Sequence, residues 1–498
     1  MKIALISSEA VPYSKTGGLA DVAGTLFREY RKMGLEVTLF IPLYKETAER
    51  FSASIVDTGT VIDVPLGAAL IKCRVFTEGT KGLRRHESGT VCFISNEEYF
   101  GRDELYGDAG GDYPDNDRRF IFFCKSVLEI CRKFDLHFDV LHCNDWQTSL
   151  VPLYLMTLYR SEAVFQKTRT VLTIHNLGFQ GLFPASTLDI TGLSPDLFNP
   201  EGIEFYGEVN FLKAGIISAD VLTTVSETYA KEILTPGQGF GLDGVLRKRA
   251  VSLFGVLNGI DYTEWDPAGD SYLPAAYFKA DLMGKTKCKK ELMSRFSFKG
   301  TKETPMLCFV GRLSTQKGID LLIDTADEIM KAGVNLFAIG KGESRFQDAL
   351  LEYAARYPGR FYFSAGFDEA LAHLAYAGSD IFLMPSIYEP CGLGQMIAMR
   401  YGTVPVAYNT GGLTDTIISP GNHAEKFFCE RLCGTIRETG FLFDLHSRES
   451  LLGEIKKALC IYCNKGIWRK LIKNAMGSDF SWKKSAGMYR KLYSMPLD

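Results

Sequence analysis

The sequence opens with MKIALISSEAVPYSKTGGLADVAG, residues 1–24, where an apolar run is followed by a loop and then by an amphipathic pattern. Residues 3–6 are apolar on both faces, which is typical of a buried strand in a parallel sheet. Lys15, Gly17 and Gly18 stand where the loop meets the helical pattern. Glycines at a helix N-terminus let an anion approach backbone N–H groups that the helix dipole makes favourable. The stretch therefore predicts a strand–loop–helix unit with an anion-binding turn; the alternative is a tight strand–helix joint.

The same arrangement recurs in PMLCFVGRLSTQKGIDLLIDTADEI, residues 305–329. Short apolar, β-branched runs alternate with helical patterns on both sides of it, which predicts an α/β protein with a doubly wound parallel sheet in each half. We expect the boundary shortly after VLNGIDYTEWDP, followed by a helix within residues 275–296. The predicted domains are residues 1–260, residues 261–475, and a C-terminal helix in 476–498 that returns to the first domain.

Length and charge exclude several classes of protein. The 498 residues are too many for one hydrophobic core. A net charge of −3 argues against a nucleic-acid or anionic-membrane surface. No apolar run approaches the roughly 20 residues of a bilayer span, and the first apolar run is too short for a signal peptide. We therefore predict a cytoplasmic protein without nucleic-acid or membrane partners.

The twelve cysteines are scattered, and several lie inside apolar stretches. This pattern favours free thiols in a reducing compartment. Cys460 and Cys463 form a CxxC spacing, and Cys429 and Cys433 form a CxxxC spacing. A zinc site needs four ligands and such spacings specify one only weakly, so we predict no metal there.

Further polar and glycine-bearing turns follow other predicted strands. In the second half they contain Arg312 and Lys317, then Glu389 within PSIYEPCGLGQ (residues 385–395), and then NTGGLTDT (residues 409–416). Ligands of open parallel sheets bind at the carboxyl ends of the strands. In the first half, HCNDWQTSL and IHNLGFQG place histidine, asparagine and aspartate side chains at two such ends.

These turns predict a ligand that combines an anion with a neutral polar group. The cations suit a diphosphate, and the few carboxylates and amides suit sugar hydroxyls. The glycine–lysine order is not that of a P-loop, and no GxGxxG follows the first strand. No Ser–His–Asp or Cys–His order is evident. Catalysis would then be electrostatic, with lysine and arginine neutralising charge on a departing phosphate.

Seven motifs, in order and spacing, resemble the bacterial and plant glycogen and starch synthases: KTGGLADV, HCNDWQTSL, HNLGFQG, VLNGID, GRLSTQKG, PSIYEPCGLGQ and TGGLTDT. The resemblance covers essentially the whole chain. It implies a GT-B fold, in which two Rossmann-like domains face a deep cleft. It also implies transfer of glucose from ADP-glucose to the non-reducing end of an α-1,4-glucan, with retention of configuration and without a metal or other cofactor. The cell compartment would be the cytoplasm, or the plastid stroma of a plant.

The resemblance also implies roles for matching residues. The residues expected to act on the reacting glucose or the diphosphate are Lys15, Asp145, His175, Arg312, Lys317 and Glu389. The residues expected to bind donor or acceptor around them are Gly17, Gly18, Asp21, Tyr99, Asn176, Asn258, Phe367, Cys391, Gly392, Leu393, Thr410, Gly411 and Gly412. Lys15 would contact the diphosphate or glucose, and Glu389 would bind glucose hydroxyls.

Four positions depart from patterns common in the family or its relatives. Asn144 and Gln147 replace histidines, so no acid–base role is assigned to either position. Ile397 stands where many related glycosyltransferases have a second glutamate, as expected for this branch. Phe367 replaces a tyrosine near the nucleotide base, which leaves the choice between ADP-glucose and UDP-glucose open.

Retention without an evident carboxylate nucleophile favours a same-face reaction, in which the leaving phosphate deprotonates the acceptor hydroxyl. Three other functions stay open at this point: a pyridoxal-phosphate-dependent sugar phosphorylase, a nucleotide-sugar epimerase, and a glucan-binding protein without catalysis. A glucan-binding protein without catalysis would be expected to have lost the residues that bind the phosphates. The expected site residues Lys15, Arg312, Lys317 and Glu389 are nevertheless all present. The sequence does not indicate an oligomeric state.

Overall fold

The computed structural model describes residues 1–79, 89–108, 110–366, 368–420 and 437–496. Its contacts divide the chain into two compact units. Unit 1 comprises residues 1–225, 230–257 and 482–498, and unit 2 comprises residues 226–229 and 258–481. Within the described ranges, no helix is long and apolar enough to cross a membrane.

Unit 1 is built on a nine-stranded sheet. Its strands are β1 (Lys2–Ile6), β2 (Glu36–Pro42), β3 (Ile55–Leu66), β4 (Ala69–Glu78), β5 (Thr90–Ser95), β8 (Val140–Asn144), β9 (Arg169–Ile174), β13 (Val221–Thr224) and β14 (Leu253–Gly255), in the order β14-β13-β9-β8-β1-β2-β5-β4-β3. Short strands outside it are β6 (Gly107–Asp108), β7 (Gly111–Asp112), β10 (Leu182–Pro184), β11 (Glu204–Phe205) and β12 (Glu208–Asn210). All neighbours from β14 to β5 pair in parallel, as predicted.

The edge formed by β3 and β4 is an antiparallel hairpin that the sequence analysis did not predict. Its residues alternate between buried and exposed, because only one face of this edge is covered. The strand order reverses direction at β1, whose neighbours are β2 and β8. In doubly wound sheets ligands bind at such a switch point, at the carboxyl ends of the strands. The loops after β1 and β8 are therefore the places in unit 1 where a ligand site is expected.

The helices up to residue 257 follow the predicted alternation. They are α1 (Gly18–Lys32), α2 (Lys45–Arg50), α3 (Glu97–Phe100), α4 (Asn116–Phe134), α5 (Leu150–Met156), α6 (Thr187–Thr191), α7 (Phe211–Ser218), α8 (Glu227–Glu232) and α9 (Asp243–Lys248). Helix α1 buries Leu19, Val22, Ala23 and Leu26, a helical spacing that covers one face of the sheet. At Gly24 a Cβ would lie 2.2 Å from the Val11 carbonyl oxygen, so this helix packs against the loop after β1 only because residue 24 lacks a side chain.

Unit 2 contains a six-stranded, fully parallel sheet. Its strands are β15 (Met306–Val310), β16 (Asn335–Gly340), β17 (Phe361–Ala365), β18 (Ile381–Met384), β19 (Val404–Tyr408) and β20 (Phe441–Phe443), in the order β17-β16-β15-β18-β19-β20. This is the 3-2-1-4-5-6 order of a Rossmann fold, with its switch point between β15 and β18. Strands β15 to β19 coincide with the apolar runs PMLCFVG, NLFAIG, FYFSAG, DIFLMPS and TVPVAY, which predict strands, whereas β20 was not predicted.

Among the described residues after position 257, the helices are α10 (Met283–Arg295), α11 (Ile319–Lys331), α12 (Ser344–Arg356), α13 (Glu369–Gly378), α14 (Gly394–Arg400), α15 (Gly411–Thr416), α16 (Arg448–Cys463), α17 (Lys465–Ala475) and α18 (Trp482–Tyr493). Helix α10 occupies only the second part of the predicted helical stretch, because residues 276–282 form turns and a bridge before it. Helix α18 belongs to unit 1. Of the ten described cysteines, eight are buried and Cys460 and Cys463 are exposed, and Cys429 and Cys433 lie outside the described residues.

Candidate functional site

At the switch point of unit 2, a lysine and a glutamate from different loops form an ion pair. Nζ of Lys317, in the loop after β15, lies 2.6 Å from Oε2 of Glu389, in the loop after β18. Both side chains are largely buried, and Ser386 Oγ donates to the same carboxylate oxygen at 3.0 Å. The pair fixes the glutamate and leaves its other oxygen, Oε1, outside these two contacts. Arg312, in the same loop as Lys317, is exposed and has no hydrogen bond or ion pair among the described residues.

Three glycines allow the turns around Glu389 to stack against each other. A Cβ at Gly318 would lie 1.9 Å from the Pro385 carbonyl oxygen. The corresponding distances are 2.1 Å from Gly411 to the Glu389 carbonyl oxygen and 2.0 Å from Gly412 to that of Cys391. The Gly412 N–H donates to the Glu389 carbonyl oxygen at 3.0 Å. The three motifs predicted separately from the sequence are thus one packed cluster of turns.

The remaining predicted residues of unit 2 line the same turns. Gly392 has a φ of +73°, which only glycine adopts readily, and Leu393 follows it immediately before α14. Thr410 is 3% exposed at the N-cap of α15. Burial raises the pKa of the Cys391 thiol to about 12, so this cysteine is not a nucleophile at neutral pH. The Asn258 backbone N–H contacts the same thiol.

Asn258 carries an unsatisfied polar atom. Its side chain is 5% exposed, and within the described part of the chain its Oδ1 has no hydrogen-bond partner. A buried amide oxygen without a donor is unfavourable by about 1–3 kcal/mol. This oxygen can accept a hydrogen bond from a ligand hydroxyl. Phe367, the predicted contact of the nucleotide base, lies outside the described residues.

In unit 1, the loop after β1 is organised by a glutamate that the sequence analysis did not select. The carboxylate of Glu9 accepts hydrogen bonds from the backbone N–H groups of Thr16 and Gly17 and from Thr16 Oγ1. Glu9 is 3% exposed, and burial raises its pKa to about 7. Its position three residues after a predicted strand was the only sequence signal for it.

The predicted residues of this loop lie beside Glu9. Nζ of Lys15 forms an ion pair with Oδ1 of Asp21 at 2.7 Å. Gly17 is in an extended conformation, and a Cβ there would meet no described atom within 4 Å. Neither its backbone nor its packing therefore requires glycine at position 17. Gly18 is the first residue of α1.

Asp145 connects the ends of β8 and β9. Its Oδ1 accepts the His175 backbone N–H at 2.7 Å, and the Asn176 N–H also donates to this carboxylate. Burial raises the pKa of Asp145 to about 7, and the nearby charge of Glu9 adds to the shift. The backbone φ of Asp145 is +56°, a conformation that a non-glycine residue adopts at a cost of about 1–3 kcal/mol.

His175 is held as a neutral imidazole. Burial lowers its pKa to about 3. Its Nε2 lies 2.9 Å from Asn144 Oδ1, while Asn144 Nδ2 donates to the Ile6 carbonyl oxygen at 3.0 Å. Because the amide nitrogen is used there, Oδ1 accepts and Nε2 of His175 carries the proton. Asn144, one of the departures from the family pattern, therefore fixes the tautomer of His175.

Two ring side chains near these loops, those of Tyr99 and His142, are buried among other residues of unit 1. Tyr99 is 4% exposed and packs its ring against Phe122 at 5.3 Å. His142, at a strand end expected to face a ligand, is fully buried between Thr173 and Tyr493, with hydrogen bonds of 2.6 Å to each. The expected contact of Tyr99 with a ligand stays a prediction.

Two family models match this chain. The starch synthase catalytic domain matches residues 2–248, and the glycosyl transferases group 1 domain matches residues 293–460. A glycogen synthase of Thermodesulfovibrio yellowstonii is 45% identical, over 99% of this chain and 97% of its own length.

Two solved structures resemble the fold. The catalytic domain of starch synthase IV from Arabidopsis thaliana, bound to ADP and acarbose, has a TM-score of 0.86 at 30% identity over 99% of this chain and 98% of its own. A sucrose-phosphate synthase from Thermosynechococcus elongatus has a TM-score of 0.60 at 17% identity over 99% of this chain and 98% of its own, a likeness of fold alone. The predicted class of two Rossmann-like units is confirmed.

Proposed function

Because this chain belongs to the glycogen and starch synthase family of GT-B glycosyltransferases, we propose that it transfers glucose from ADP-glucose to the non-reducing end of an α-1,4-glucan, with retention of configuration. The donor nucleotide sugar and the glucan are its proposed partners. The reaction as proposed needs no metal or organic cofactor. We propose that unit 1 provides the acceptor side and unit 2 the nucleotide side. Cytoplasmic localisation stays a prediction.

The cluster of turns around Glu389 is the observation that supports this proposal most strongly. It combines a fixed carboxylate with a lysine and an exposed arginine at the switch point of a Rossmann-type sheet. The carboxylate is suited to sugar hydroxyls, and Arg312 and Lys317 are suited to a diphosphate. Cations aimed at the departing phosphate stabilise the charge that develops there as the glycosidic bond breaks.

The proposed roles in unit 1 are those that the family resemblance implies, and its hydrogen bonds support them. Lys15 contributes a third positive charge, and its loop is positioned by Glu9. The absence of a side chain at Gly17 leaves room beside the backbone for a ligand. Asp145 accepts a hydrogen bond from a glucose hydroxyl, and the neutral His175 binds a hydroxyl through Nδ1 because Nε2 already donates to Asn144. The His175 carbonyl oxygen supports the oxocarbenium-like centre.

We propose a same-face mechanism in which the leaving phosphate deprotonates the acceptor hydroxyl. The carboxylate of Asp145 accepts from two backbone N–H groups, those of His175 and Asn176, which suits a binding role better than a nucleophile. A covalent glucosyl adduct trapped on Asp145 would contradict this mechanism.

The decisive experiment measures glucose incorporation into a glycogen primer from ADP-glucose and UDP-glucose in parallel. We expect strong incorporation from ADP-glucose. A preference for UDP-glucose would support the proposed glucose transfer but contradict the proposed donor, and would direct attention to Phe367. Failure of both donors with folded protein would overturn the synthase proposal. Absorbance of bound pyridoxal phosphate would instead indicate a phosphorylase, and primer-independent release of sugar an epimerase.

A further inference from the structure

Within the described residues, one group of three side chains in unit 2 has the composition and spacing of a metal site: Glu264, Glu369 and His373. One ligand atom from each lies within 4.8 Å of the other two. Glu369 and His373 are four residues apart on α13, which places them on one face of the helix. Glu264 comes from the segment that precedes α10. None of the three is among the residues proposed for glucose transfer.

The imidazole of His373 is held rigidly. Its side chain is 1% exposed, and Nδ1 lies 2.7 Å from Oδ2 of Asp270. Tyr401 Oη donates to the same aspartate oxygen at 2.6 Å. The indole of Trp265 stacks on the imidazole, with 4.0 Å between ring centroids and 11° between ring planes. The orientation of the ring is therefore fixed before any ligand binds.

The hydrogen bond to Asp270 determines which nitrogen can bind a ligand. Nδ1 of His373 is taken up by Oδ2 of Asp270, which also accepts from Tyr401 Oη. Nε2 is therefore the ring nitrogen that faces the two glutamates. Nε2 is buried and has no hydrogen-bond partner in the described part of the chain. An apolar packing role for His373 accounts for Nδ1 but leaves Nε2 unsatisfied beside two carboxylates.

We propose that Glu264, Glu369 and Nε2 of His373 bind one divalent transition-metal ion of the zinc class. A carboxylate that orients a histidine through its second nitrogen is the usual outer shell of such a ligand. The imidazole favours zinc, cobalt or nickel over magnesium and calcium, which prefer oxygen ligands. Three protein ligands leave a fourth position for water.

The proposed role of the ion is structural. It would join the segment that contains Glu264 and Trp265 to α13, in addition to the contact between Asp270 and His373. It takes part in no step of the proposed glucose transfer, so the proposal can succeed or fail independently of the assigned reaction.

The test uses the full, tag-free chain after treatment with EDTA and removal of the chelator. Co²⁺ is titrated while visible absorbance is recorded, and the melting temperature is measured with and without Zn²⁺. We expect cobalt absorbance that saturates at one ion per chain, and a higher melting temperature with Zn²⁺. Absence of both effects would overturn the proposal.

Two variants locate the site, and a third controls for the loss of a charge. Glu264→Gln and Glu369→Gln should each weaken Co²⁺ binding by at least about tenfold, because each removes an anionic ligand. Glu449→Gln removes an exposed glutamate from the first turn of α16, just as Glu369 lies in the first turn of α13. It should bind Co²⁺ as the parent does. Equal binding by the parent and both site variants, all shown to be folded by circular dichroism, would also overturn the proposal.

Discussion

Glu9 shows how a single buried carboxylate organises the loop that carries Lys15. Three hydrogen bonds from Thr16 and Gly17 hold this carboxylate, yet burial outweighs them and raises its pKa to about 7. The folded chain therefore keeps a proton on Glu9 that the unfolded chain loses near the ordinary value of 4.5. The resulting stability is present below pH 4.5 and is lost as the pH rises through 7.

We predict that Glu9→Gln reduces this pH dependence. The amide retains an acceptor oxygen for the loop but does not ionise. The free energy of unfolding of the variant, minus that of the parent, should rise by about 3 kcal/mol between pH 4.5 and pH 8. Denaturant unfolding at several pH values measures this difference. Glu104→Gln, at an exposed position, should show no such trend. A constant difference for Glu9→Gln would contradict the assigned burial effect.

Among the cations of the proposed site, Lys317 has the most firmly fixed side chain, because it forms an ion pair with Glu389. We predict that Lys317→Ala lowers kcat/KM for glucose transfer by a factor on the order of 10²–10³, which is typical for removal of one transition-state charge partner. Steady-state kinetics with ADP-glucose and glycogen measure the loss. Lys331→Ala removes an exposed lysine at the end of α11 and should leave kcat/KM unchanged. Full activity of folded Lys317→Ala would exclude Lys317 from the phosphate site.

At the scale of elements, the site of unit 2 depends on how closely three strand–helix turns approach. The sequence identified these turns by their glycines, but it did not indicate which backbone atoms each glycine meets. Gly318, Gly411 and Gly412 each face a carbonyl oxygen of the loop that follows β18. A side chain at any of them would push this loop away, and Glu389 would move with it.

We predict that Gly412→Ala destabilises the protein by about 1–3 kcal/mol, because the new Cβ would lie 2.0 Å from a backbone oxygen that must shift. The loss of transfer activity should be larger than the fraction of unfolded protein at the assay temperature can explain. Gly453→Ala is the matched control, since Gly453 lies within α16 and a Cβ there meets no described atom within 4 Å. It should stabilise the protein by about 0.5–1 kcal/mol. Thermal unfolding and the transfer assay together test both variants, and a neutral Gly412→Ala would refute the packing argument.

At the scale of the whole chain, the C-terminal helix completes the core of unit 1. Trp482, Tyr489 and Tyr493 of α18 are buried in the same cluster as the first strands. Tyr493 Oη lies 2.6 Å from His142 Nδ1 and 2.5 Å from Tyr30 Oη. Arg169 Nη1 donates to the Tyr493 carbonyl oxygen at 3.0 Å, near the end of the helix. Residues more than 300 positions apart are thus bound to one another.

We predict that Tyr493→Phe destabilises unit 1 by about 1–3 kcal/mol, because it leaves buried polar atoms of His142 and Tyr30 without their partner. Tyr206→Phe removes a hydroxyl from a side chain that is 85% exposed and should change stability by less than about 0.5 kcal/mol. Chemical denaturation monitored by tyrosine and tryptophan fluorescence compares the two. Equal stability of the two variants would show that the Tyr493 contacts contribute no net stability.

The alternation of strands and helices, the strand–loop–helix unit that begins each half, and the cations in those two loops can all be predicted from the sequence. These features depend on residues close together in the chain, such as the apolar run of β1 and the glycines before α1. Apolar residues recur with the period of the helix or strand that they form, so the type of element can be predicted without knowledge of the fold. The family motifs added roles to the same positions.

Which of these groups meet depends on the folded structure and cannot be predicted from local sequence. Glu9 and Asn144 carry no decisive sequence signal because their importance depends on hydrogen-bond partners: Thr16, seven residues further along the same loop, for Glu9, and His175, at the end of the neighbouring strand, for Asn144. The antiparallel edge of β3 and β4 and the orphan nitrogen of His373 also depend on neighbours that the local pattern does not specify. Burial and hydrogen-bond pairing are set by residues far apart in sequence. They exist only when the chain has brought those residues together.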